Sequence, residues 1–504
     1  TSLTIYLRKG LKWSDGHPLT AEDFVYAWET SLDPEFPFIT ARDFVSKVTK
    51  LTIIDDYTFK ADLKSPQPNT MLASALTYVD QLAPKHYLQQ FDPRFNDKMT
   101  VQDLEKAWSE ERITEALVDK PQSGAWKVTE YVVNERIVAE RNPYYWKVDT
   151  EGRQLPYLDK VVYEILEDRE VLLLKVLNGE IDMMSRHFNT NDNKAVLADS
   201  MEAGEYGFFE TRNGGNSTGL HFNLNHKDPR MREIFQNKDF RIGISHCINR
   251  QEVVDLLFIG QGEPMASAMD KNSIPELYDE EMYNQYIEFD PDLAHEHFAA
   301  AGMEMGDDGF FLGPDGEELS FVIQSTDSFG HSDRAELVGQ QLQACGVNAQ
   351  VKIMDRSLLY ALKDANDHDV HVWGAGGSSS VFLDPRHFLP YSQESAFAEA
   401  WATWYNPPAA GAQTEPEEPP DIVKHQMELY DQIKRTGDLP TQIELMKEII
   451  EIAKDQFYVI GLTTEPPGYG IVRNNFHNVP ESMPGSWQYP TPAPTNPETY
   501  WIEQ

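Results

Sequence analysis

Apolar and polar positions alternate in short runs along the chain, and helical stripes lie between them. Alternation predicts strands over 3–7 and 218–225, because successive side chains of a strand point to opposite faces. The segment 51–63 predicts a hairpin that turns at Asp55 and Asp56, and 123–141 predicts two strands joined at 133–135. Thr20 with Asp23 three residues later predicts a helix that begins with a capping box.

Two segments combine strand, helix and strand in the order of a βαβ unit. They lie near 160–185 and over 319–354, and such units indicate parallel sheets. A further strand is predicted over 369–376, an amphipathic helix pair over 421–455 and paired strands over 458–475. A chain of 504 residues is too long for one hydrophobic core. The pattern therefore predicts an α/β protein with two lobes, the first of which carries an extra β-rich segment.

Composition narrows the classes of partner. Hydrophobic residues make up 40% of the chain, which is typical of globular domains, and 82 acidic against 43 basic residues leave a formal net charge of −39. Such a surface repels phosphate backbones, so nucleic acid is excluded as a partner. Two explanations of the acidity stay open, solubility of an exported protein and adaptation to a salt-rich habitat.

Few residues suggest covalent chemistry. Cys247 and Cys345 either pair or stay free, and their apolar contexts favour buried free thiols. The two histidine groups, at 295–297 and 368–371, lack the spacing of a metal site. No nucleophile motif occurs. We expect no metal, no cofactor and no catalytic residue, although carboxylates are too numerous for counting to dismiss a glycosidase pair.

Five segments in order resemble one family. They are 7–29, 142–184, 222–264, 337–354 and 372–388. They are similar to the large solute-binding proteins of ABC importers that take up oligopeptides, dipeptides, nickel or oligosaccharides, known as family 5. Members of this family usually carry a further N-terminal segment, and we expect that it either was trimmed from this chain or precedes the first residue of the numbering.

The resemblance implies a two-lobe periplasmic-binding-protein clamshell. Lobe I would comprise 141–222 and 466–504 with an extra subdomain over 1–140, and lobe II would comprise 223–465. Chain crossings near 220–223 and 465–468 would form the hinge, with Phe222 and Pro466 as hinge residues. A ligand would bind between the lobes, and membrane permease subunits would receive it from a monomer. The location implied is periplasmic or extracytoplasmic, with lipid anchoring left open because no signal segment is present.

The ligand class rests on one departure from the family. Peptide-binding members place a carboxylate shortly after the tryptophan of the last segment, where it pairs with the peptide's amine. Residues 374–383 contain no acid, and a buried ammonium without a partner is costly. The loop at 147–157 and the segment 401–422 are similar to those of oligosaccharide-binding members. We therefore expect an oligosaccharide, with an oligopeptide as the alternative and a glycoside hydrolase as a second alternative of another class.

The candidate ligand contacts combine aromatic rings with small polar residues. Trp373 ends a predicted strand, where ligands of open α/β sheets bind. Sugar rings stack on aromatic faces, and glycine lets backbone approach a ligand closely. Asn223 would be a hinge residue, a ligand contact or a turn former. The full set of predicted contacts is Trp373, Gly374, Gly376, Ser378, Asn223, Trp404, Tyr405 and Trp487.

Overall fold

The structure is a computed structural model, and it divides the chain into two compact units. The first unit is Thr1–Arg212 with Pro467–Gln504, and the second is Asn213–Pro466. The residues described are 2–36, 48–64, 82–108, 116–166, 168–212, 216–271, 273–377, 381–407, 413–485 and 492–503.

Strands occur along the whole described chain. In chain order they are β1 Ser2–Tyr6, β2 Val48–Asp55, β3 Thr58–Leu63, β4 Trp126–Val132, β5 Arg136–Arg141, β6 Lys160–Glu164, β7 Met183–Met184, β8 Tyr206–Arg212, β9 Asn216–Phe222, β10 Glu304–Met305, β11 Phe311–Leu312, β12 Phe321–Ser325, β13 Ala349–Ile353, β14 Val370–Ala375, β15 Ile460–Gly461, β16 Gly468–Arg473, β17 Phe476–His477, β18 Ser482–Pro484 and β19 Trp501–Ile502.

Helices lie between these strands and are longest near the end of the second unit. In chain order they are α1 Ala21–Leu32, α2 Lys85–Leu88, α3 Val101–Trp108, α4 Ala116–Asp119, α5 Arg169–Leu177, α6 Asn191–Asp199, α7 Met201–Gly204, α8 Pro229–Gln236, α9 Lys238–His246, α10 Arg250–Leu257, α11 Glu280–Tyr283, α12 Pro291–Ala300, α13 His331–Ala344, α14 Arg356–Asp364, α15 Glu399–Tyr405, α16 Asp421–Arg435 and α17 Leu439–Gln456.

The first unit contains separate small sheets. Their orders are β1-β3-β2, β4-β5-β6, β18-β8-β16-β7 and β17-β19. The predicted capping box of α1 is confirmed, since the Thr20 amide donates to Asp23 Oδ2 at 2.8 Å. Both predicted hairpins are confirmed as β2-β3 and β4-β5.

Two predictions of strand pairing that involve this unit are wrong. β6 pairs antiparallel with β5, whereas β7 pairs with β16 in another sheet, so 160–185 is not a βαβ unit. The predicted strands of 458–475 do not pair either, because β15 adds to the sheet of the second unit and β16 to a sheet of the first. The boundary expected between 140 and 141 would fall inside the sheet β4-β5-β6.

The second unit is built on a five-stranded sheet of order β13-β12-β14-β9-β15. β12 pairs parallel with both β13 and β14, and α13 connects β12 to β13. This confirms the βαβ unit predicted over 319–354. β9 runs antiparallel between β14 and β15.

Phe222 belongs to the core of this sheet and is not a hinge. Its side chain is fully buried, and its ring lies 5.1 Å from that of Phe235, 5.6 Å from Phe240 and 5.5 Å from Phe321. The chain changes unit at Arg212, before β9 rather than after it. Pro466 is the last residue of the second unit, and its role as a hinge stays a prediction.

The two cysteines form a disulfide, which corrects the expectation of free thiols. Cys247 follows α9 and Cys345 follows α13, and they are 98 residues apart in sequence. The spacing of one pair does not reveal this, because it depends on how α9 and α13 pack in three dimensions.

Replacing both cysteines by alanine should destabilise the second unit. A crosslink over a loop of this length contributes about 3–5 kcal/mol by restricting the unfolded chain, so the variant should melt several degrees lower. Calorimetry with and without reductant measures the effect. An unchanged melting temperature, together with two reactive thiols in the unreduced denatured protein, would contradict the assignment.

Candidate functional site: the carboxyl edge of the parallel strands

Three turns meet where β12, β13 and β14 end. Because these strands are parallel, their carboxyl ends share one edge of the sheet. Phe329 and His331 follow β12, Arg356 and Tyr360 follow β13, and Trp373 lies near the end of β14. Ligands of open α/β sheets bind at this edge. We call these five residues the Trp373 cluster.

Trp373 lies at the centre of this cluster. Its ring centroid is 5.0 Å from that of His331, 5.4 Å from Tyr360 and 6.2 Å from Phe329. The rings of Tyr360 and Phe329 stand perpendicular to the indole, and the Arg356 guanidinium carbon is 5.2 Å from its centroid. Trp373 is half-buried, so part of the indole is held by protein and part is open to solvent.

The turn after β12 holds Phe329 in an uncommon conformation. Phe329 has φ 59° and Gly330 has φ 69°, and the left-handed region is costly for a residue with a bulky side chain. The Phe329 side chain is nevertheless 52% exposed. The turn therefore presents an apolar ring to solvent instead of burying it.

A polar network extends from the cluster to the end of the second unit. His331 Nδ1 lies 3.0 Å from Thr218 Oγ1, which accepts a hydrogen bond from Arg334 at 2.8 Å. Arg334 also pairs with Glu465 at 2.5 Å, one residue before the boundary at Pro466. Hydrogen bonds and an ion pair among these residues therefore support the cluster on its buried side.

Burial favours the neutral form of four histidines, of which His331 belongs to the cluster and the other three lie beside it. Burial lowers the pKa of His221 and of His368 to about 4, and that of His331 to about 3. Burial also holds the pKa of His371 well below its ordinary value. Within the described ranges, no group of three or more histidine, cysteine or acidic side chains is placed to hold a metal ion.

The glycine stretch after Trp373 serves the packing of the protein. The Gly374 carbonyl accepts from His221 Nε2 at 3.0 Å, and Gly376 has φ 107°, where a side chain would be strained. A Cβ at Gly377 would lie 1.9 Å from the sulfur of Met269. A side chain at Gly376 would therefore strain the backbone, and one at Gly377 would have to displace Met269. Ser378 lies outside the described residues.

Asn223 is a turn former and not a ligand contact. It is fully buried, its amide nitrogen donates to Asn366 and to the His368 carbonyl, and its side-chain oxygen accepts from the Asn225 amide. All of its hydrogen-bonding groups are therefore used within the protein.

The other predicted aromatic contacts do not join the cluster. Trp404 and Tyr405 lie on α15, away from the carboxyl edge. The Tyr405 hydroxyl donates to Asp431 on α16 at 2.7 Å, and Lys434 covers its ring. Trp487 lies outside the described residues.

Four members of the cluster are not predicted from the sequence. Phe329, His331, Arg356 and Tyr360 follow the strands predicted over 319–325 and 348–354 by a few residues. The available signal was their place after two strands that are parallel to the strand of Trp373. This signal can be used only when it is known that the three strands pair in one sheet.

A group of polar side chains in the first unit connects Glu498 to the loop at 147–157. Lys147 pairs with Glu498 at 2.5 Å, and the Tyr157 hydroxyl donates to Asp149 at 2.5 Å. The Glu498 carbonyl also accepts from the Tyr157 amide at 3.0 Å. These side chains use their charges and hydrogen-bonding groups on one another, which indicates a structural role.

The chain matches a known family. Residues 1–397 match the family described as bacterial extracellular solute-binding proteins, family 5 middle. The match covers most of the chain, and the protein belongs to this family of solute-binding proteins.

Two curated relatives are similar over much of the chain. A probable ABC transporter-binding protein of Deinococcus radiodurans is 26% identical over 402 residues, which are 76% of this chain and 64% of that protein. The periplasmic alpha-galactoside-binding protein of Rhizobium meliloti is 26% identical over 507 residues, covering 96% of this chain and 69% of that protein. The chain thus spans about two thirds of the length of these relatives.

Solved structures show the same fold. The oligopeptide-binding protein OppA is 31% identical with a TM-score of 0.72, over 100% of this chain and 83% of that one. MelB of Agrobacterium fabrum, solved in complex with stachyose, is 23% identical with a TM-score of 0.72, over 100% of this chain and 75% of that one. Among the described helices, none is long and apolar enough to cross a membrane.

The buried histidines predict that acid destabilises the second unit. The unfolded chain binds protons below about pH 6.5, whereas the folded histidines do so only near pH 4. The free energy of unfolding should therefore fall as the pH drops from about 7 to 5, above the range where most carboxylates titrate. Melting temperatures across this range measure the effect.

His371→Phe should reduce this pH dependence. The ring of His371 lies among those of His221, Tyr360, His368 and Trp373, where phenylalanine matches it in shape and cannot be protonated. A melting temperature that is equal at pH 7 and pH 5 in the unaltered protein would contradict the assignment.

Proposed function

We propose that this protein is the extracytoplasmic solute-binding subunit of an ABC importer and that its ligand is an oligosaccharide. The observation that carries the proposal is the Trp373 cluster at the carboxyl edge of the parallel strands. Aromatic rings suit the C–H faces of sugars, and neighbouring polar groups suit their hydroxyls. The subunit would act as a monomer and deliver its ligand to membrane permease subunits.

The surroundings of Trp373 favour a sugar over a peptide. Residues 374–383 contain no acid, and Gly376 and Gly377 have neither the conformation nor the space for one. The next acid, Asp384, is occupied by Arg386 and by the Tyr391 hydroxyl. A peptide's ammonium would therefore find no partner in the segment that follows Trp373, although its desolvation requires one.

Proteins named for both ligand classes are similar to this chain. The Rhizobium protein named for alpha-galactoside binding is similar over 96% of this chain. The oligopeptide-binding protein OppA of Salmonella typhimurium is 29% identical over 36% of the chain, and the OppA structure described above covers the whole chain at 31% identity. Asp327, an exposed acid that follows β12 at the same edge, is the group that a peptide ligand would use.

A thermal-shift screen tests the proposal. The panels are neutral and acidic oligosaccharides, including raffinose and stachyose, and peptides of three to nine residues. A tight ligand stabilises the native state by mass action, so an oligosaccharide should raise the melting temperature by several degrees. A response to peptides alone, abolished by Asp327→Asn, would overturn the ligand class. Hydrolysis of a bound sugar would overturn the assignment as a binding protein.

Trp373→Ala should weaken binding of the identified oligosaccharide by about 1–3 kcal/mol, the contribution of a stacked aromatic face. Trp404→Ala is the matched control. It removes an equally large ring that is 42% exposed on α15 of the same unit, and it should leave affinity unchanged. Isothermal titration calorimetry measures both. Equal losses in the two variants, or a loss in Trp404→Ala alone, would contradict the position of the site.

A further inference from the structure

One arginine of the second unit differs from the others in its partners. Arg356 is exposed, and among the described residues no carboxylate lies within ion-pair distance of it. Arg241 and Arg250 are buried and donate to backbone carbonyls. The remaining arginines between 213 and 466 all pair with carboxylates: Arg230, Arg232, Arg334, Arg386 and Arg435. In a chain with 82 acidic residues, an exposed arginine without a carboxylate partner is conspicuous.

The rings of the cluster hold this arginine in place. Its guanidinium carbon lies 5.2 Å from the ring centroid of Trp373, 5.4 Å from that of Tyr360 and 5.9 Å from that of Phe329. The cation is attracted by the faces of these rings. These contacts use the charge of the guanidinium, and one of its donors also bonds the Tyr360 side chain. A guanidinium has five N–H donors in the plane of the group, so donors remain for a ligand.

The chemistry that fits such a group is a carboxylate. Two parallel N–H donors of a guanidinium match two carboxylate oxygens, and this pairing is stronger than a hydrogen bond between neutral groups. The net charge of −39 repels anions from the surface as a whole. An anionic ligand therefore needs a local cation, and Arg356 supplies one at the carboxyl edge.

We propose that the ligand is an acidic oligosaccharide and that Arg356 binds the carboxylate of one of its hexuronate units beside Trp373. This inference rests on the proposed function and deepens it by naming the charge of the ligand. The aromatic rings would contact the sugar face while Arg356 selects the acid group.

Pairs of sugars that differ mainly in charge show how much the carboxylate contributes to binding. The probes are trimers of galacturonate and of mannuronate, each as the free acid and as its methyl ester, titrated calorimetrically at pH 7.5. The free acid of one trimer should bind at least about tenfold more tightly than its ester, as expected for hydrogen bonds to a charged group. Arg356→Met should abolish that ratio. Arg435→Met, which removes a charge from α16, should preserve the ratio.

The outcomes distinguish this inference from the function on which it rests. Esters and neutral sugars that bind as tightly as the acids would overturn the acidic ligand and keep the oligosaccharide. Peptides that bind only with a free carboxyl end, in an Arg356-dependent way, would keep the anion site and overturn the sugar. A ratio that survives in Arg356→Met, with folding confirmed by its melting curve, would overturn the role of this arginine. Failure of every probe to bind would count against both.

Discussion

Parallel pairing of β12 with β13 and β14 is the constraint on which the site depends. It brings three carboxyl ends to one edge, although the turns that follow them are separated by tens of residues along the chain. The antiparallel strand β9 contributes Thr218 near its own amino end at this edge, and the chain after β15 contributes Glu465. Residues with no local relation in sequence thereby become neighbours of Trp373.

The site combines an open aromatic surface with a rigid support. Behind Trp373, burial favours the neutral form of the histidines, and hydrogen bonds and an ion pair connect His331 through Thr218 and Arg334 to Glu465. In front, Phe329 and Arg356 remain exposed. A surface of this kind can bind a ligand without a large rearrangement of its side chains, and this lowers the entropic cost of binding.

Local patterns predicted the elements better than their pairing. The capping box of Thr20, the two hairpins and the βαβ unit over 319–354 depend on short-range alternation and turn residues, and they are confirmed. The segment 160–185 shows a similar pattern, but its strands join different sheets. Periodicity records which face of a strand is apolar and not which strand lies beside it.

The same limit applies to the site. Trp373 was predicted because it ends an apolar strand before a glycine stretch, which is a local signal. Arg356 and Phe329 carry no such signal, since an exposed arginine and an exposed phenylalanine are ordinary until their distance from Trp373 is known. Phe222 and Asn223 have the opposite problem. An apolar strand end followed by a polar turn has the sequence pattern expected where the chain crosses between lobes, but both residues are buried in the second unit.

Hydrogen–deuterium exchange of the protein, with and without an oligosaccharide found to bind it, tests the central claim most directly. If the carboxyl edge is the binding site, the three turns over 325–331, 354–360 and 373–377 should all exchange more slowly when the ligand is present. They should do so together, because the parallel strands hold them at one place. Protection confined to α15 and α16, or to the loop at 147–157, would contradict the account.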